Sequence, residues 1–165
     1  MSLTLILMRH AKSSWNDPAL RDFDRPLNAR GRRSASAIGD WLREKRYLPD
    51  HVLCSAAMRT RETLKGLKLA AETEFLDDLY HASEDQMLHL LQAHGQGQTV
   101  LMLGHNPGTA FLARLLLHTP PAHAKFSLYP TAATLIARFG EDHWEDIAFG
   151  GGTACDFVVP RELTG

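Results

Sequence analysis

Cysteine is scarce in this chain. Only Cys54 and Cys155 occur in 165 residues, far apart and with no metal-type spacing. That excludes a disulfide framework and a thiolate metal site, and both residues read as free thiols. Charge of one sign is also lacking: the formal net charge is -1, which gives no bulk electrostatic case for nucleic acid or an anionic membrane. Any anion site must be local. Long apolar runs are absent too. The run that opens the chain, Leu3 to Met8, is too short to span a bilayer and has neither a basic flank before it nor a cleavage site after it, so the expected location is cytoplasmic. Nine histidines are present, yet none forms HExxH or a tight His/Cys/Asp cluster. No metal and no other cofactor is expected, and His89, His94, His118 and His123 read as solvated side chains. Repeats, low-complexity tracts and linkers are missing as well, so residues 1–165 read as one domain, long enough to bury roughly 70% of its unfolded surface.

What is present is alternation. Leu3 to Met8 suits a strand covered on both faces. Residues 11 to 27 carry Asn16-Asp17-Pro18 and Arg25-Pro26 and read as loop. Asn28 can cap a helix to about Arg46, whose Ala35, Ile38 and Leu42 share a face. His51 to Cys54 predicts a second strand, followed by a helix from about Ala57 to Glu72. Glu74 to Leu76 predicts a third strand, and Ser83 with Gln86 forms a capping box opening a helix to about His94. Thr99 to Leu103 predicts the next strand, and Gly104-His105-Asn106-Pro107-Gly108 turns it into a helix ending near Leu117. Two antiparallel strands are expected at about Ala133 to Phe139 and His143 to Phe149, then a glycine-rich turn and an apolar strand or tail to Pro160. Strands alternating with helices imply a three-layer α/β/α fold with a mainly parallel sheet and an antiparallel edge.

In such sheets ligands collect at the carboxyl ends of the strands. Arg9 and His10 follow the first strand, Ser55 and then Arg59 follow the second, and His105 follows the strand at 99 to 103. Each alone could be structural; their convergence at three strand ends points to a site. Arginine forks match phosphate oxygens and hold their charge near neutral pH. Pro107 fits the first position of a helix whose N–H groups would face the same pocket. A histidine there could serve as base, ligand or nucleophile. Flanking cations disfavour imidazolium, so His10 should be neutral, with one ring nitrogen free to attack phosphorus.

Arg9-His10-Ala11-Lys12-Ser13-Ser14-Trp15-Asn16 resembles the RHGxxxxN signature of the histidine phosphatase superfamily, the phosphoglycerate mutase-like fold. Ser55, Arg59 and Thr63 resemble its second motif and Gly104-His105 its third, while Arg25-Pro26-Leu27 with Gly31 is similar to the segment between the first two. The resemblance covers residues 3 to about 117 and implies two-step phosphoryl transfer. His10 would be the nucleophile, Arg9, Arg59 and His105 would surround the phosphoryl oxygens, and Asn16, Arg25 and Ser55 would be further phosphate or substrate contacts.

Ala11 stands where the family usually has glycine, and the RHAKS form with the short chain resembles the SixA-type phosphohistidine phosphatase branch. No clear general acid follows the third strand; Asp78, Tyr80 and Glu84 are the candidates. An alkoxide leaving group needs an acid, being about as basic as hydroxide, whose parent water has a pKa of about 15.7. Imidazole, with a pKa near 6.5 when protonated, does not. The expected substrate is therefore a phosphorylated protein carrying phosphohistidine, with phosphate as product. The alternatives are a hydrolase of small phosphate esters and a non-catalytic module that binds phosphorylated ligands. Lys12 and Arg21 read as surface charge, and Trp15 and Trp144 as core.

Overall fold

The structure is a computed structural model describing residues 2–164. Its strands are β1 (Leu3–Arg9), β2 (His51–Ser55), β3 (Glu72–Leu76), β4 (Thr99–Gly104), β5 (Thr134–Phe139) and β6 (Gly152–Val158). They form one sheet in the order β3-β2-β4-β1-β5-β6. The first four in that order run parallel, and β5 and β6 complete the sheet antiparallel.

Side chains alternate across a strand, so a strand apolar at every position must be covered on both faces. Leu5 and Leu7 of β1, with Leu53 and Met102, pack on one side against Met87 and Leu91 of α3 (Glu84–His94) and Leu112 and Leu116 of α4 (Gly108–Leu116). Ile6 and Met8, with Val52, Cys54, Leu101 and Leu103, pack on the other side against Ile38 and Leu42 of α1 (Ala29–Glu44) and Leu67 of α2 (Met58–Leu67). These are the three layers expected. Each fully buried Leu, Ile or Met contributes about 1.5–3 kcal/mol. The predicted caps are in place: the Asn28 side chain accepts the Gly31 N–H at 2.8 Å, and Ser83 with Gln86 forms the capping box.

Four expectations need correcting. Helix α2 stops at Leu67, not near Glu72. Lys68 takes the left-handed conformation and Arg43 Nη1 donates to the carbonyls of Leu67 and Lys68 at 2.6 and 3.1 Å, which frees Glu72–Leu76 to pair with β2. The strand expected at His143 to Phe149 is instead a 3₁₀ turn, Trp144–Asp146. Trp144 and Ile147, three apart, both turn inward, and Trp144 Nε1 donates to the Gly97 carbonyl at 2.8 Å. The partner of β5 is the segment read as a strand or tail, Gly152–Val158. Finally, His94 and His123 are half-buried, hydrogen-bonded to Glu74 (3.0 Å) and Glu162 (2.7 Å), whereas His89 and His118 are exposed. Among the described residues, no helix is long and apolar enough to cross a membrane.

Candidate active site

The strands β2, β4 and β1 are neighbours, so their carboxyl ends bring Ser55, His105, Arg9 and His10 to one edge. The main chain at His10 is held from both sides. Its N–H donates to the Gly104 carbonyl (3.1 Å) and its own carbonyl accepts the Ala132 N–H (2.9 Å). The next amide, at Ala11, donates to Thr63 Oγ1 (3.0 Å), tying the loop after His10 to α2. In the ring, Nδ1 lies 2.7 Å from the Ala11 carbonyl. A carbonyl only accepts, so the proton sits on Nδ1 and Nε2 carries a lone pair. Burial, then repulsion from Arg9, Arg59 and Arg25, outweighs the Ala11 hydrogen bond and pushes the pKa of His10 down to about 3.

Arg9, Arg25 and Arg59 line the same cleft, which encloses about 330 Å³. A carboxylate holds two of them. Asp22 Oδ1 accepts from Arg25 Nε at 3.1 Å, and Oδ2 accepts from Arg59 Nη2 at 3.0 Å and from the Tyr80 hydroxyl at 2.5 Å. Partial burial works against the charged form of Asp22, but hydrogen bonds from Tyr80 and Arg59 hold it well below the usual carboxylate range. Arg25 also donates to Ser13 Oγ (2.9 Å) and the Ser14 carbonyl (3.1 Å), fixing the loop after His10.

His105 Nε2 is 2.8 Å from Ser55 Oγ, which also accepts the Ala57 N–H at 3.3 Å. Burial, then repulsion from His10 and Arg59, lowers the pKa of His105 to about 2. The two imidazole rings sit 5.2 Å apart. Among the described residues, Arg9 Nε, Arg59 Nε and His105 Nδ1 are buried with no hydrogen-bond partner. A buried donor left unpaired costs about 1–3 kcal/mol, so Arg9 Nε and Arg59 Nε are primed for an acceptor, and His105 Nδ1 joins them in the tautomer whose Nε2 accepts from the Ser55 hydroxyl. The chemistry on offer is a neutral imidazole lone pair facing a concentrated field of donors.

Residues 5–83 match the family model of the histidine phosphatase superfamily (branch 1). A protein of Nakamurella multipartitia assigned as a phosphohistidine phosphatase SixA is 32% identical, with 97% of each chain covered and a TM-score of 0.84. The chain belongs to the histidine phosphatase superfamily. Its likeness is to the SixA-type branch, since an Agrobacterium tumefaciens protein with the same assignment is 28% identical over 96% of this chain and 99% of its own, with a TM-score of 0.79. An uncharacterised Mycobacterium tuberculosis protein is 35% identical over 160 residues, covering 93% of this chain and all of the relative.

Not every expected residue reaches this histidine phosphatase cleft. His10, Arg9, Arg25, Arg59 and His105 line it, and so does Lys12, which reads from the sequence as surface charge. Asn16 does not: it is exposed, its N–H bonded to Ser14 Oγ at 3.1 Å, because Arg25 pins the loop at Ser13 and Ser14, before the chain reaches position 16. Ser55 is fully buried behind His105 and bonds its ring instead of lining the cleft. Trp15 is 72% exposed, not core; its ring lies 3.4 Å under the Arg25 guanidinium. Arg21 is a surface charge paired with Asp24 at 2.9 Å. Pro107 is the N-cap of α4 instead of its first residue, and two amides at that helix start are already bonded, Thr109 to the His105 carbonyl (2.9 Å) and Ala110 to Asn106 Oδ1 (3.2 Å). Of the acid candidates, Asp78 and Tyr80 line an adjoining pocket and Glu84 opens α3; none lines the cleft.

Four cleft residues were missed: Asp22, His81, Asn106 and Thr131. Asp22 lies three residues before Arg25, and that i, i+3 spacing within a 3₁₀ turn was the available signal. His81, whose ring stacks 3.9 Å from Tyr80, has no pattern that marks it.

Proposed function

We propose that the protein is a phosphatase working through phosphohistidine at His10, with phosphohistidine on a protein as its substrate. The observation that carries this reading is the neutral His10 ring, its Nδ1 spent on the Ala11 carbonyl, set beside Arg9, Arg25 and Arg59. In the first step the Nε2 lone pair attacks phosphorus and the phosphorus–nitrogen bond of the substrate breaks. The substrate ring, protonated from solvent on its other nitrogen before transfer, leaves as neutral imidazole. In the second step water attacks phosphorus, the bond to Nε2 breaks, and phosphate leaves. Arg9, Arg59 and His105 are assigned to the equatorial oxygens, where charge must be stabilised during transfer. Arg25 is assigned to the rim of the substrate and Ser55 to holding His105.

The substrate preference rests on what the cleft offers a leaving group. Asp22 is the one carboxylate lining it among the described residues, and its hydrogen bonds keep it ionised, so it has no proton to give. An imidazole can depart from such a site; an alkoxide cannot do so readily. The SixA assignments of the Nakamurella and Agrobacterium proteins support the same substrate. Metal independence, residence of the whole activity in one domain over 1–165 and a cytoplasmic location belong to this reading.

The test compares kcat/KM on a phosphohistidine peptide, an aryl phosphate and an alkyl phosphate from pH 5 to 9, with chelator present. The expected order is phosphohistidine, then aryl, then alkyl, each unaffected by chelator. A higher kcat/KM on an alkyl ester would replace the substrate with small phosphate esters, and phosphate binding without any turnover would make the protein a binding module.

A further inference from the structure

Beside the active cleft lies a second, larger groove of about 510 Å³. We propose that this groove docks an acidic stretch of the phosphoprotein substrate, a proposal that rests on the phosphatase reading above. Arg30 and Arg33, three residues apart on one face of α1, line it together with Lys125 and Arg161. All four are exposed, and no carboxylate is among the described residues of the lining.

What marks this cluster is its concentration: most other Lys and Arg side chains also lack an ion pair among the described residues, but these four share one groove that no described carboxylate lines. Arg21, Arg25, Arg43 and Arg59 each pair with an aspartate of the chain. The head groups of the four groove cations make no ion pair or hydrogen bond among the described residues. With a formal net charge of -1 for the whole chain, four unpaired cations on one concave surface are a local field and not the overflow of a basic protein.

Position connects the groove to the chemistry. Thr131 lines both the groove and the active cleft, and the next amide, Ala132, is the one bonded to the His10 carbonyl. A chain seated in the groove therefore enters the cleft within a residue of the nucleophile's own clamp. Leu128, 65% exposed, offers apolar contact for the side chains between acidic residues. No aromatic ring is among the described residues lining the groove, so they offer no stacking platform of the kind single-stranded nucleic acid uses. Unpaired cations, an apolar contact and direct entry to the cleft favour an acidic polypeptide.

The test uses the full chain and the double charge reversal Arg30→Glu/Arg33→Glu, at two exposed positions outside the active cleft. Two phosphohistidine peptides are compared, alike except that the flanking residues are Asp and Glu in one and Ser and Gly in the other, with free phosphoramidate as a small control. Wild type should favour the acidic peptide by about tenfold in kcat/KM at low salt, and the preference should shrink as salt is added. The variant should lose the preference while hydrolysing phosphoramidate as wild type does. An undiminished preference in the variant would overturn the proposal.

Binding of the unphosphorylated acidic peptide, followed by fluorescence anisotropy, separates this proposal from the reading beneath it. Wild type that hydrolyses nothing yet binds the peptide through Arg30 and Arg33 would refute the phosphatase and leave the acidic-ligand groove standing. Tighter binding of a single-stranded oligonucleotide than of the peptide would refute the assigned occupant.

Discussion

Lowering the pH from 7 to 5 should weaken the fold through the two imidazoles of the cleft. His10 and His105 are 6% and 4% exposed, and their pKa values in the folded state are about 3 and about 2. In the unfolded chain each reverts to about 6.5. Between about 6.5 and 3 the unfolded state therefore binds protons that the folded state refuses, and stability falls as pH falls. At about 1.36 kcal/mol per pH unit, the 1.5 units from 6.5 down to 5 cost about 2 kcal/mol per ring, or about 4 kcal/mol for both. That value depends on the unfolded pKa and hardly on how far below 5 the folded one lies. It is a large part of the 5–15 kcal/mol that holds a typical domain together. Urea denaturation at pH 7 and pH 5 reads the loss directly. Because other groups also titrate in this window, the decisive comparison is with His10→Gln/His105→Gln, which should lose about 4 kcal/mol less than wild type between the two pH values. Equal losses in the two proteins, or a His10 ring that titrates near 6.5 by NMR in the folded protein, would refute the claim that His10 is held neutral.

Arg59→Lys keeps a charge but loses the planar fork that reaches both the Asp22 carbonyl (2.8 Å) and carboxylate (3.0 Å), so kcat/KM on phosphohistidine should fall by about 10²-fold with little loss of stability. Ser55→Ala removes the hydroxyl bonded to His105 Nε2; kcat should drop about tenfold with KM nearly unchanged in steady-state kinetics, and Ser55→Thr should restore part of it. Gly31→Ala would place a methyl 2.1 Å from the Lys12 carbonyl oxygen, pushing α1 off the loop that follows His10. Chemical denaturation should show a loss of about 1–3 kcal/mol, the usual cost of overpacking.

The positions that sequence reading locates best are those where a short apolar strand runs into polar residues. Leu3 to Met8 ending on Arg9 and His10, and Thr99 to Leu103 ending on Gly104 and His105, could be placed because a buried parallel strand must deliver its next residues to the sheet edge. The His143 to Phe149 segment failed for a local reason. Its apolar residues number too few to separate a period of two from one of three, and burial of Trp144 and Ile147 against α3 decided for the turn. Asp22 failed for a distant one: its link to Arg59 spans 37 residues and that to Tyr80 spans 58, and no local pattern encodes such pairs. Trp15 shows the same limit, since its partner is a guanidinium in the cleft wall and not the core. Asn16 was placed by motif spacing alone, and the grip of Arg25 on Ser13 and Ser14 leaves it outside.

The most direct measurement is rapid quench of a single turnover with phosphoryl-labelled substrate, followed by mapping of the label. Transfer through His10 predicts an acid-labile, base-stable phosphoryl group on His10 that forms before phosphate is released, decays as phosphate appears, and is absent from His10→Ala. Label on any other residue, or phosphate release by His10→Ala at the wild-type rate, would contradict it.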